Sequence, residues 1–166
     1  VQAQAVMKAA FRDQGIAKAD RINQDLGQQA CSTDRPLAPE QSKRIEAEAL
    51  ATIRPPTGGQ YLGDWREGEK IAQDGWGLRF TDAGQAGRKN GGNCYACHQL
   101  APQELSFGTI GPSLYHFGKS RGYTEEVRKY AYGKIYNAEG YSACTNMPRF
   151  GHQGILTEQQ IKDVVA

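Results

Sequence analysis

The sequence predicts an all-α fold, and three observations carry that prediction. Stretches 64–72, 124–136 and 157–166 each read as a helix, the first two opening on Asp64 and Thr124, residues suited to capping. Strand-period alternation is noted only at Trp76, Leu78 and Phe80, inside a Gly-rich stretch where a loop is the expected outcome over a short extended segment. Between the helical stretches lies Cys94-Tyr95-Ala96-Cys97-His98, a C-x-x-C-H run whose chemistry suits the first turn of a helix. At 166 residues the chain can form one domain with a real core, or a small domain with an extension. Its 20 basic and 18 acidic residues give a formal charge of +2, with no basic block to follow phosphates, which argues against nucleic acid as a partner. No apolar run approaches the ~18 residues of a membrane span.

Taken in order, residues 1–59 read as a helical N-terminal extension with a linker, and 60–166 as a separate domain. From Gln4 to Gln29 the chain is rich in Ala and Gln, with Met7, Phe11, Ile22 and Leu26 at roughly helical intervals, so one or two helices are expected. Pro36 and Pro39 break that pattern. A further helix follows, with Ile45, Ala49, Leu50 and Ile53 as its apolar stripe, and Pro55-Pro56-Thr57-Gly58-Gly59 ends it. The extension either packs on the domain or contributes to a partner interface. Asp64 opens the next helix, in which Gly68 costs about 1 kcal/mol relative to Ala and is expected to serve close helix packing. The stretch 73–93 is a Gly-rich insertion. Thr124 caps the following helix, expected to turn Val127, Tyr130, Ala131 and Ile135 to one face. The last helix, from Thr157, is expected to bury Ile161, Val164 and Val165. It runs only two or three turns and reads as lacking a few C-terminal residues.

The C-x-x-C-H run is the chemical centre. Two thiols at this spacing can form thioethers to the two vinyl groups of one porphyrin, and the histidine that follows is then held beneath the ring as an axial ligand to iron. A bare C-x-x-C also suits a redox dithiol or half of a zinc site, but no second Cys/His pair stands at finger spacing. About a dozen residues beyond the run, Gly111-Pro112 forms a turn. By itself this is only a turn; after C-x-x-C-H it suits a proline carbonyl placed against the other imidazole nitrogen, which fixes the tautomer and makes the ligand more basic. A sixth ligand could come from Met147, His116, His152 or Met7. Met147 lies about fifty residues after His98, in a polar Gly-rich loop and directly before Pro148, where a methionine serving as core filler is less expected. His116 otherwise suits a propionate contact and His152 a surface loop, while Met7 lies in the extension. A methionine sulfur favours ferrous iron, and filling both axial positions keeps oxygen and peroxide off the metal.

Covalent haem attachment in bacteria takes place outside the cytoplasm, so the run implies export to the periplasm, with a targeting peptide absent from a chain that begins at Val1. In that compartment Cys31 and Cys144 can bridge, tying the extension to the loop that carries Met147. The alternatives are two separate thiols, or Cys144 competing for iron.

The run, the Gly-Pro turn, the Gly68 helix and Met147 together resemble class I cytochromes c, although Ala72 stands where an aromatic residue is usual. A closer resemblance rests on Gly92-Asn93-Cys94-Tyr95-Ala96-Cys97-His98, Gly111-Pro112-Ser113-Leu114, Lys134-Ile135-Tyr136, Met147-Pro148-Arg149-Phe150-Gly151 and Leu156-Thr157-Glu158-Gln159-Gln160-Ile161. Over residues 60–166 these are similar to the SoxX family, the small monohaem subunits of SoxAX complexes. The resemblance implies a class I cytochrome c fold with one covalent haem c, anchored by Cys94 and Cys97 and ligated by His98 and Met147. It implies a larger SoxA-type subunit that carries the catalytic haem. Thiosulfate is there conjugated to a cysteine of a SoxYZ-type carrier, and the small subunit passes the released electrons to a soluble cytochrome. Nothing is carried onto residues 1–59. Two other readings stay open: a freestanding periplasmic electron carrier, and a haem enzyme with a labile sixth ligand.

Overall fold

The computed structural model describes residues 2–14, 18–33, 35–82 and 87–166; parts of the expected first helical stretch (15–17) and of the Gly-rich insertion (83–86) lie outside them. Seven α-helices form among the described residues: α1 (Gln2–Ala10), α2 (Leu26–Cys31), α3 (Pro39–Ala51), α4 (Trp65–Gln73), α5 (Phe117–Arg121), α6 (Glu125–Tyr136) and α7 (Glu158–Val165). These residues contain no strand, and the fold is all-α.

Local chemistry sets the helix starts. The Asp64 carboxylate accepts from the Arg66 amide at 2.9 Å, and the Thr124 hydroxyl from the Val127 amide at 3.4 Å. Thr157 and Gln160 form a reciprocal box, with the Gln160 amide donating to the Thr157 hydroxyl at 3.3 Å and the Thr157 amide to Gln160 Oε1 at 3.1 Å. Each satisfies amides that a helix start leaves unpaired, worth about 1 kcal/mol per cap. Pro39 does not merely break a pattern: it occupies the first turn of α3, where its missing N–H costs nothing.

The helices α4 and α7 cross closely. A Cβ at Gly68 would run into the Asp163 carbonyl, so the contact is backbone against backbone. Just before α4, the Gly63 amide donates to the Lys162 carbonyl at 2.9 Å and the Asp64 amide to Asp163 Oδ1 at 2.9 Å. This arrangement corrects the expected inward face of α7. Ile161 is buried, but Asp163 turns in beside it and Val164 and Val165 are only half-buried, because the carboxylate is needed by the backbone ahead of α4.

The core is Tyr132, Phe150, Leu156 and Ile161, flanked by Tyr61, Ile71, Ile135, Tyr136, Ile155 and Val165. The face of α6 also differs from expectation. Tyr132 and Gly133 are buried, Tyr132 edge-on to Tyr61 at 5.5 Å, while Val127 and Ala131 are half-buried and Tyr130 is exposed.

The N-terminal segment lies on this core. Ile45 and Ala49 of α3 are buried against the turn Ala138–Gly140, while Leu50 stays largely exposed. Asn137, buried, donates to the Thr52 hydroxyl at 2.9 Å and the Ala49 carbonyl at 3.4 Å. The linker meets α7 where Thr57 donates to the Glu158 carboxylate, from its amide at 2.9 Å and its hydroxyl at 3.2 Å. In the Gly-rich insertion, Trp76, Leu78 and Phe80 make no strand. A short turn Phe80–Asp82 is held by the buried Asp82 carboxylate, which accepts from the Gly77 and Arg79 amides at 2.9 and 3.1 Å and from the Arg79 guanidinium at 3.1 Å.

Candidate haem-binding site

The C-x-x-C-H run is presented by a single 3-10 turn, Cys94–Ala96, rather than by the first turn of an α-helix. The reason lies on both sides of it. Asn93 enters in the left-handed region (φ 50°), a conformation asparagine tolerates. Ahead of it, the Gly92 and Asn93 amides donate to the Ile71 and Asp74 carbonyls at 2.8 and 3.0 Å, stitching the run to the end of α4. Beyond it, the chain folds back: the Gly108, Gly111 and Leu114 amides donate to the carbonyls of Tyr95, Cys97 and Gln99 at 2.9, 2.8 and 2.8 Å. That return strips a continuing helix of its carbonyl acceptors and brings residue 112 beside residue 98. Only the turn itself survives, closed by the Cys97 and His98 amides on the Cys94 carbonyl at 3.1 and 2.9 Å.

The result is a defined imidazole. His98 Nδ1 lies 2.7 Å from the Pro112 carbonyl. A carbonyl only accepts, so Nδ1 carries the proton and Nε2 keeps its lone pair. Gly111 permits this approach, since a Cβ there would strike the His98 ring. Cys94 and Cys97 are both unbridged and half-buried. Burial pushes the Cys94 thiol up to about 11, the opposite of the lowered value that activates a redox thiolate. Among the described residues no three His, Cys, Asp or Glu side chains are grouped to hold a metal ion by themselves, so thiols and imidazole do not converge as a chelating set.

Met147 sits in the loop between α6 and α7, half-buried, with its amide donating to the Thr145 hydroxyl at 3.3 Å. On its C-terminal side the loop is anchored by Phe150 in the core and by the Phe150 and Gly151 amides on the Ile135 and Tyr136 carbonyls at 3.2 and 3.1 Å. On its N-terminal side Cys144 is joined by a disulfide to Cys31, with Cα atoms 5.3 Å apart. The other candidates have different surroundings. His116 stacks on Tyr115 with ring centroids 3.7 Å apart, exposed His152 donates its amide to the Tyr136 carbonyl at 3.0 Å, and exposed Met7 lies on α1. Sequence reasoning missed Arg149. Its guanidinium reaches Asp25 at 2.6 Å and Glu139 at 3.2 Å, and the 124-residue separation from Asp25 left no local pattern to find it by.

A haem fits these residues. One imidazole nitrogen is fixed and the other free, two thiols are unpaired beside it, and apolar surface remains uncovered after the run at Phe107, Ile110 and Tyr115. A family model for cytochrome c matches residues 66–166, from α4 through α7.

The chain belongs to the cytochrome c family. Its cofactor is covalently bound c-type haem, and it is an electron-transfer haem protein. An Aquifex aeolicus (strain VF5) protein described as an uncharacterized lipoprotein is 40% identical to this cytochrome over 148 residues, which is 86% of this chain and 68% of that protein. A match of that extent necessarily takes in much of the segment ahead of residue 66. No helix among the described residues is long and apolar enough to cross a membrane.

Proposed function

We propose that this cytochrome is an exported, electron-transferring subunit in which Cys94 and Cys97 anchor the porphyrin as thioethers and His98 and Met147 are the axial ligands. The observation that carries the reading is the hydrogen bond from His98 Nδ1 to the Pro112 carbonyl, which leaves Nε2 as the only ring nitrogen with a lone pair. Bound haem supplies reversible one-electron oxidation and reduction. The chain's own residues do the rest. Pro112 holds the imidazole in one tautomer and raises its basicity. Met147 would offer a soft sulfur, which favours the reduced metal, and with it and His98 both holding the group small molecules would be kept off the iron. Export is supported by the chemistry of haem attachment and by a relative described as a lipoprotein.

The partner reading is narrower. The chain resembles the small subunit of SoxAX complexes through its Met-Pro-Arg-Phe-Gly stretch and the helix that follows. In that reading it pairs with a SoxA-type larger cytochrome. It takes the electrons released when thiosulfate is conjugated to a SoxYZ-type carrier and delivers them to a soluble cytochrome. The bond chemistry belongs to the larger subunit. Rapid mixing tests this: thiosulfate should reduce the haem of this chain only when the larger subunit and the carrier are both present. A haem that stays oxidised in the complete mixture, yet exchanges electrons freely with unrelated small cytochromes, would identify a freestanding carrier instead.

A further inference from the structure

Three long-range contacts from the N-terminal segment converge on the few residues around Met147. The Ala143 amide donates to Glu46 Oε1 of α3 at 3.0 Å, 97 residues away in sequence. The next residue, Cys144, is bridged to Cys31 at the end of α2, 113 residues away. Beyond Met147, the Arg149 guanidinium bonds Asp25, which caps α2, at 2.6 Å, and Glu139 at 3.2 Å. Glu139 belongs to the turn on which α3 packs. Four residues, 145–148, span the interval between the bridge and this ion pair.

Packing holds that interval only in part: Thr145 and Met147 are half-buried, Asn146 and Pro148 are exposed, and an open pocket of about 380 Å³, lined in part by Cys31, Cys144, Met147 and Arg149, lies alongside it. Cys144 is also in the left-handed region (φ 59°), which a non-glycine residue keeps only where its surroundings over-determine it. A loop that faces an open pocket on one side and carries covalent and ionic ties at both ends is held in large part by those ties.

We propose that Cys31, Asp25 and Glu46 are positioning residues for Met147: the N-terminal segment is a clamp that keeps the thioether available to the iron. The proposal rests on the reading of Met147 as sixth ligand. That the Aquifex aeolicus relative shares much of the same segment is consistent with a role beyond covering the core.

The test uses holoprotein and three readouts: the sulfur-to-iron charge-transfer band of the oxidised form, the reduction potential, and carbon monoxide binding by the reduced form. The wild type should show the band and refuse carbon monoxide, and Met147→Ala should reverse both. In the double variant Cys31→Ser/Cys144→Ser, with covalent haem and helical circular dichroism retained, the band should weaken or vanish, carbon monoxide binding should appear, and the potential should fall. Asp25→Asn should shift all three in the same direction by less. If the double variant yields no folded holoprotein, reducing the bridge of folded wild type with a phosphine and capping the thiols should give the same changes. Wild-type readouts in every one of these proteins except Met147→Ala would overturn the clamp and leave the ligand reading standing. Absence of the band in wild type, with no change in Met147→Ala, would remove the ligand reading and the clamp with it.

Discussion

At residue 98 the proposed ligation turns on one carbonyl. Pro112 accepts the Nδ1 proton at 2.7 Å, and the approach exists because residue 111 has no side chain. In Gly111→Ala the new Cβ must displace either the ring or the turn, and under the proposed anchoring and ligation the haem should remain attached while the iron–histidine geometry changes. The expected outcome is an altered ferric spectrum and a lowered affinity of the imidazole for iron, read as loss of histidine ligation at a higher pH than in wild type during acid titration. A second residue carries a pH signature of its own. Burial raises the Asp82 pKa, but hydrogen bonds from Arg79 and Gly77, with the Arg79 charge, outweigh it and hold the carboxyl below its ordinary value of 3.8. A lowered folded value means that its stabilisation is fully present above 3.8 and is lost as the pH falls through the folded value. Asp82→Asn should therefore be destabilised relative to wild type at neutral pH, and urea unfolding in increasingly acid buffer should bring the two together. A gap that widened on acidification would refute the assignment.

Among the elements, what could be read in advance was what the chain decides locally. Asp64 and Thr124 cap the helices they were expected to cap, and Thr157 caps α7 in the same way, because a cap needs only a side chain and an amide two or three residues on. The inward faces were less legible. Tyr132 rather than Tyr130 is buried on α6, and Asp163 turns in on α7 where Val164 was expected, since each depends on a partner distant in sequence: Tyr61 for the tyrosine, the Gly63–Asp64 backbone for the aspartate. The C-x-x-C-H run was legible as chemistry but not as shape. Its 3-10 turn follows from the return of residues 108–114, which no spacing within the run reveals. Gly68 joins the two levels, a poor helix residue locally and a necessary one at the crossing. Gly68→Ala must push α4 and α7 apart against two inter-element hydrogen bonds, and overpacking of this kind costs ~1–3 kcal/mol. Since intrinsic propensity alone would make the same change favourable by about 1 kcal/mol, a thermal midpoint below that of wild type would isolate the packing term.

For the whole molecule, the Cys31–Cys144 bridge closes a loop that holds most of the chain, including α3, α4, the C-x-x-C-H run and α6. An oxidising compartment was the ground for favouring a bridge between the two cysteines over two separate thiols, since spacing says nothing about a contact made across 113 residues. The consequence for stability follows from the unfolded state. In the chain-entropy model, a loop of about 100 residues removes enough freedom from the unfolded chain to be worth ~4–5 kcal/mol, an upper figure because residual structure reduces it. The double variant Cys31→Ser/Cys144→Ser should lose stability of that order at most. Its denaturant slope should also rise, since an uncrosslinked chain exposes more surface on unfolding. These two signs separate the bridge from an ordinary packing contact, whose loss lowers the midpoint and leaves the slope alone. Unfolding of oxidised wild type and the double variant, both with haem attached, measures them together. An unchanged slope with a lowered midpoint would place the stabilisation in the native contacts of Cys144 rather than in the closed loop.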